Sequence, residues 1–135
     1  MDCVPNIHVR QAGGARAAFL IWLFALFPSL CEARDPWEFT DYAFAGAALA
    51  SLVVDWGQTR HIAKNPDRFY EKNQILGPKP SVGKVDAYFA GAMLSTVAVA
   101  HVLPRDYRRL FLAGTLSMEL SVVEQNRSIG VKIEF

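Results

Sequence analysis

Charge is not spread along this chain. It is pushed into a few connecting segments, and the runs at about 17–27, 42–60, 82–103 and 110–125 are nearly free of it. A helix of a soluble bundle needs a polar residue at every third or fourth position to face water, and these runs mostly lack one. Apolar blocks between charged connectors predict an all-α fold, a small polytopic helical membrane bundle with lipid as part of its solvent. At 135 residues the chain has the length of one domain.

The first run differs from the others. Residues 1–16 carry Arg10 and Arg16, Ala17 to Phe27 is unbroken apolar sequence, and Pro28 is followed by small residues at Cys31 and Ala33. That order matches a secretory signal peptide cleaved after Ala33. The competing reading is a retained first membrane helix, although the run falls short of the roughly 20 residues that spanning requires. The expected organisation is therefore 1–33 as signal peptide or first membrane helix, and 34–135 as a helical membrane domain. Cys3 and Cys31 both lie in the leader, which argues against a disulfide scaffold or a cysteine metal site.

Within the domain, spans are expected at about 42–60, 82–103 and 110–125, with a loop at 61–81. In the first span Ala43, Gly46, Ala47, Ala50 and Ser51 are small enough for close helix approach. Ser51, Asp55, Gln58 and Thr59 recur at helical spacing and form a polar stripe suited to protein or water rather than lipid. Asn65-Pro66, Gly77-Pro78 and Lys79-Pro80 forbid a continuous helix through the loop. A helical turn is expected at Pro66–Lys72, and Ser81 is placed to cap the next helix. That helix carries a second small-residue stripe, Ala87, Gly91, Ser95 and Ala98, and ends before Pro104.

The segment from Pro104 to Arg109 reads as a tight hairpin between antiparallel helices, its Arg105, Tyr107, Arg108 and Arg109 serving as an interfacial anchor. Residues 128–135 alternate, with Ile129, Val131, Ile133 and Phe135 against polar neighbours, and predict a short extended tail. One alternating segment cannot make an outer-membrane barrel, which needs many.

Lysine and arginine placement sets the expected orientation. With the N-terminus inside, the inner segments hold Arg10, Arg16, Arg60, Lys64, Arg68, Lys72, Lys79, Lys84, Arg127 and Lys132. The outer segments hold Arg34, Arg105, Arg108 and Arg109. This bias puts the 61–81 loop and the C-terminus on the cytoplasmic side of a multi-pass membrane protein.

The chemistry-bearing residues concentrate where the first span meets the loop. Asp55 and Glu119 are the acids nearest the membrane interior, and counting along the helices puts them at similar depth. With His61 they are the catalytic candidates, set in a polar cluster of Ser51, Asp55, Gln58, Thr59, Arg60, Glu119 and Asn126. The same residues also suit a structural role, through interhelical hydrogen bonds and pairs such as Asp55 with Arg60 or Glu119 with Arg127. His61 and His101 belong to opposite ends of their helices, and neither a zinc-type ligand spacing nor a phosphate-binding loop is present, so no metal and no cofactor is expected. A formal net charge of +1 argues against nucleic acid as a partner.

The run from Asp55 to Arg60, followed by Tyr70, Glu71, Asn73, Leu76, Gly77 and Pro80, resembles a group of small bacterial and phage-borne helical membrane proteins. In these an acid and a threonine at a helix end precede a Glu-x-Asn-Pro-x-Leu-Gly loop. Gln74 stands here where the proline is usual. The resemblance implies a membrane location and no particular activity. The leading expectation is a non-enzymatic assembly, accessory or partner-binding protein whose loop meets another membrane protein, a second copy or lipid. The alternatives are an intramembrane enzyme or proton-linked carrier built on Asp55 and Glu119, and a phage-type lysis or envelope protein.

Overall fold

The computed structural model describes residues 35–135, so the signal-peptide or first-helix reading of 1–33 lies outside the described residues. The described part is all-helical: α1 Phe39–Lys64, α2 Val82–Val102 and α3 Arg105–Ser128, with no strand among the described residues. The helices run up, down and up. The start of α1 lies by the start of α3, and the end of each lies by the 65–81 loop. α1 is the central helix, packing most heavily on α3, then on α2, while α2 and α3 touch sparsely.

Each helix end has a local cause. Asp41 in the first turn of α1 accepts the Glu38 N–H at 2.9 Å, half of a capping box. Asn65 closes α1, its Nδ2 donating to the His61 carbonyl at 2.8 Å, and Pro66 follows where a helix cannot continue. Ser81 caps α2 by accepting the Lys84 N–H at 3.3 Å. Pro104 stands at the N-cap of α3, whose first N–H, from Arg105, is taken by the Asp35 carboxylate at 3.0 Å, a cap supplied from far away in sequence.

Several expected boundaries move. The predicted hairpin 104–109 is mostly the first turn of α3, its arginines paired with Glu38 just before α1 and with Asp41 in the first turn of α1. Pro66–Lys72 forms a turn at 66–68 and no helix, since Asn65 is used as the end of α1. The 128–135 tail forms no strand: α3 runs through Ser128, and Gly130, with φ +83°, turns the chain back.

The apolar core joins Leu52, Leu76, Val85 and Phe89, so the loop contributes a core leucine. Neither small-residue stripe makes this contact. Ala43, Gly46, Ala47 and Ala50 on α1, and Ala87, Gly91, Ser95 and Ala98 on α2, are exposed; of the stripe residues Ser51 is buried, beside Ala48 and Leu52. Among the described residues one helix, Val82–Val102, is long and apolar enough to cross a membrane by length and composition.

Candidate functional site

Two polar assemblies lie at opposite ends of the bundle. At the helix-start end Arg108 is fully buried and reaches Asp41, also fully buried, at 3.3 Å. Its remaining donors go to main-chain oxygens: Nε to Ala100 at 3.0 Å, and Nη2 to Asp35 at 3.0 Å and Leu103 at 3.2 Å. The guanidinium also lies 5.0 Å from the Trp37 ring centre. Arg109 binds Asp41 at 2.9 Å and Glu38 at 2.7 Å, and Arg105 binds Glu38 at 3.0 Å. Such saturation of donors by acceptors is what allows a guanidinium to be buried. The expectation of a simple interfacial anchor here is corrected for Arg108, which is a structural pin. Its acidic partner, Asp41, lies 67 positions away, beyond the reach of local sequence pattern.

At the loop end a cavity of about 320 Å³ opens among all three helices and the loop. Asp55 and Thr59 of α1, Glu119 and Asn126 of α3, and Tyr70, Glu71, Asn73 and Leu76 of the loop line it together. Asn126 Nδ2 donates to Asp55 Oδ1 at 3.1 Å, and Glu119 Oε2 is a buried oxygen with no hydrogen-bond partner among the described residues. Tyr88, Phe89, Met118, Val122 and Ile129 add apolar wall, and Lys72 and Gln125 add polar groups. Met118, Val122 and Gln125 sit on the α3 face that carries Glu119 and Asn126, a helical spacing legible in the sequence but overlooked there.

The loop is shaped to present these groups. Asn73 accepts the Ile75 N–H at 2.9 Å, Glu71 Oε1 accepts the Asn73 N–H at 2.8 Å, and the Gly77 N–H reaches the Asn73 carbonyl at 2.9 Å. Gly77 has φ +78°, a left-handed conformation that glycine adopts without strain. Lys84 Nζ donates to the Leu76 carbonyl at 2.8 Å and ties the loop to α2. Pro80 is buried.

The rest of the expected polar cluster lies outside the cavity lining. Ser51 donates to the Ala48 carbonyl at 2.8 Å, and Gln58 Nε2 donates to the Val123 carbonyl at 3.2 Å. Arg60 pairs with Asp86, which also accepts from the Trp56 indole at 2.8 Å, so the suggested Asp55–Arg60 pair is not formed. Glu119–Arg127 is likewise absent among the salt bridges of the described residues. His61 turns away from the two acids to Glu134, at 2.9 Å. Among the described residues no group of three or more metal-binding side chains converges. A carboxylate-bearing cavity of this kind can receive a polar or cationic group. Comparison with known protein families, with curated proteins and with solved structures found no match to this chain.

Proposed function

We propose that the chain is a small integral protein of the bacterial inner membrane, a non-enzymatic accessory or assembly protein that receives its partner at the loop-end cavity. The observation that carries this reading is an inversion of polarity. Asp41, Ser51, Asp55, Gln58, Thr59, Thr96 and Arg108 are buried, while Leu94, Leu110 and Leu120 are 73%, 71% and 53% exposed. Water drives the opposite arrangement, whereas lipid favours polar groups turned inward and apolar ones outward. Phe39, Tyr42 and Tyr107 are exposed around the arginine end, where an aromatic belt would sit at the headgroups. In this reading α1, α2 and α3 all cross the bilayer, and the loop faces the cytoplasm.

The test is fractionation with topology reporters. The protein should stay in the membrane pellet after alkaline carbonate washing. A fluorescent protein fused after Phe135 should fluoresce, and alkaline phosphatase at the same place should be inactive. Release into the carbonate supernatant would overturn the integral reading, and the reverse reporter pattern would overturn the orientation.

A second reading rests on a separate observation, the joint presence of Asp55 and the unpartnered Glu119 oxygen in one cavity. It makes the chain a proton-linked carrier or intramembrane enzyme. An Asp55→Asn variant distinguishes the two: a partner-binding role tolerates the amide, whereas proton handling does not.

A further inference from the structure

Beyond Gly130 the chain returns along α1 and is held there on several counts. The Val131 N–H reaches the Asn126 carbonyl at 3.0 Å and closes the end of α3 itself, while the Glu134 N–H reaches the Gly57 carbonyl of α1 at 3.1 Å. Val131 is buried between these two bonds. The approach depends on Gly57 having no side chain. A Cβ there would lie 2.6 Å from Ile133 Cγ2 and 3.1 Å from Phe135 Cζ, the first far inside van der Waals contact. Phe135 stands edge-on to Trp56 with ring centres 5.5 Å apart, and Glu134 bridges His61 Nδ1 and Lys64 Nζ, each at 2.9 Å.

The same segment leads directly into the cavity. Ile129 forms part of its wall, and Asn126, whose carbonyl receives Val131, is the residue whose amide holds Asp55 at 3.1 Å. We propose that residues 129–135 form a strap that holds the last turn of α3 against α1 and thereby controls access to Asp55. The proposal rests on the reading of the cavity as the working site and names its regulation. The strap's hold is light enough to be displaced. It makes one main-chain bond to α1, its ion pairs are partly solvated, and Ile133 and Phe135 remain 53% and 62% exposed. A partner arriving at the loop face and competing for His61, Lys64 or Trp56 would free the α3 end.

The experiment uses the full chain in lipid nanodiscs, comparing the parent with Gly57→Ala and Glu134→Gln. Alanine is the better helix former, so Gly57→Ala expels Ile133 without weakening α1. Three quantities are read: hydrogen exchange at the amide of position 134, labelling of Asp55 by dicyclohexylcarbodiimide followed by mass spectrometry, and exchange around Leu52 as a check of the fold. In both variants tail exchange should rise about tenfold or more and Asp55 labelling several-fold, with Leu52 unchanged. Unchanged tail exchange in both would overturn the docking. A freed tail with unchanged Asp55 labelling would overturn control of the cavity. Should Gly57→Ala disturb Leu52, Glu134→Gln, at a partly exposed position, carries the decision. These readouts depend on neither partner nor orientation, so they fail separately from the fractionation test.

Discussion

Arg108 Nη1 lies 3.3 Å from Asp41 Oδ2, and neither side chain reaches solvent. Opposite charges this far from water hold together two helix starts that are distant in sequence, and each charge depends on the other. Replacing Arg108 by alanine would leave the buried Asp41 carboxylate with Arg109 as its one cationic partner, at a cost of about 1.5–3 kcal/mol for the lost charged hydrogen bond. Arg108→Ala should therefore show a large loss of thermal stability in detergent, and the double variant Arg108→Met with Asp41→Leu should recover most of it. If Arg108→Ala melts with the parent, the pin is not what joins these helices.

The acids outside the proposed spans give stability a pH dependence of definite sign. Burial alone would raise the Asp41 carboxyl. The Glu38 amide, the hydrogen bond from Arg109 and the charges of Arg109 and Arg108 outweigh it and hold it below the ordinary value. Glu134 is held low first by its hydrogen bond from Lys64 and then by that from His61. A carboxyl depressed in the folded state contributes its full stabilisation above the unfolded value and loses it as pH falls through the folded one. Melting temperature should thus hold steady down to about pH 5 and fall increasingly below about pH 4. Asp41→Asn should flatten that acid limb while lowering the plateau, which melting curves across the range would show.

Leu76 belongs to the loop and yet is 3% exposed in the core beside Leu52, Val85 and Phe89. Leu76→Ala should cost about 2–5 kcal/mol, a core-sized loss at a loop position. Gly77 beside it acts only through its backbone, since a Cβ there would meet nothing within 4 Å. Gly77→Ala should cost on the order of 1 kcal/mol, and Gly77→Asn less, because asparagine enters the left-handed region more readily. Equal small effects at both positions, read by thermal unfolding, would mean that the loop is not docked as described.

The parts legible in the sequence were those written in local pattern. The three helices follow from apolar runs bounded by Pro66 and Pro104, and the Ser81 cap and Gly77 turn from residue type alone. The juxtaposition of Asp55, Glu119 and Asn126 follows from counting along helices in an up-down-up arrangement. What escaped was set by distant partners. Nothing near Arg108 in sequence announces Asp41, and nothing near Gly57 announces Ile133. His61 looked like a member of the acid cluster because it shares a helix end with Asp55, but it is six positions along and faces a different neighbour, Glu134. Of the small-residue stripes Ser51 is buried, whereas Ala43, Gly46, Ala47 and Ala50 on α1 and Ala87, Gly91, Ser95 and Ala98 on α2 are exposed.

Asp55 accepts the Asn126 amide on Oδ1 while lining the cavity, so its structural and chemical roles are separable by substitution. An asparagine at position 55 keeps a carbonyl oxygen for Asn126 and abolishes only the ability to carry a proton or a charge. A leucine leaves the Asn126 donor unpaired beside a buried apolar group, a loss of about 1–3 kcal/mol. Asp55→Asn should accordingly melt within about 1 kcal/mol of the parent, with Asp55→Leu clearly below it. If Asp55→Asn is as damaging as Asp55→Leu, the carboxylate charge itself holds α3 on α1 and the position is structural. A stable Asp55→Asn protein that still supports its host's phenotype favours the accessory role. A stable one that has lost the phenotype moves the weight to proton chemistry at Asp55 and Glu119.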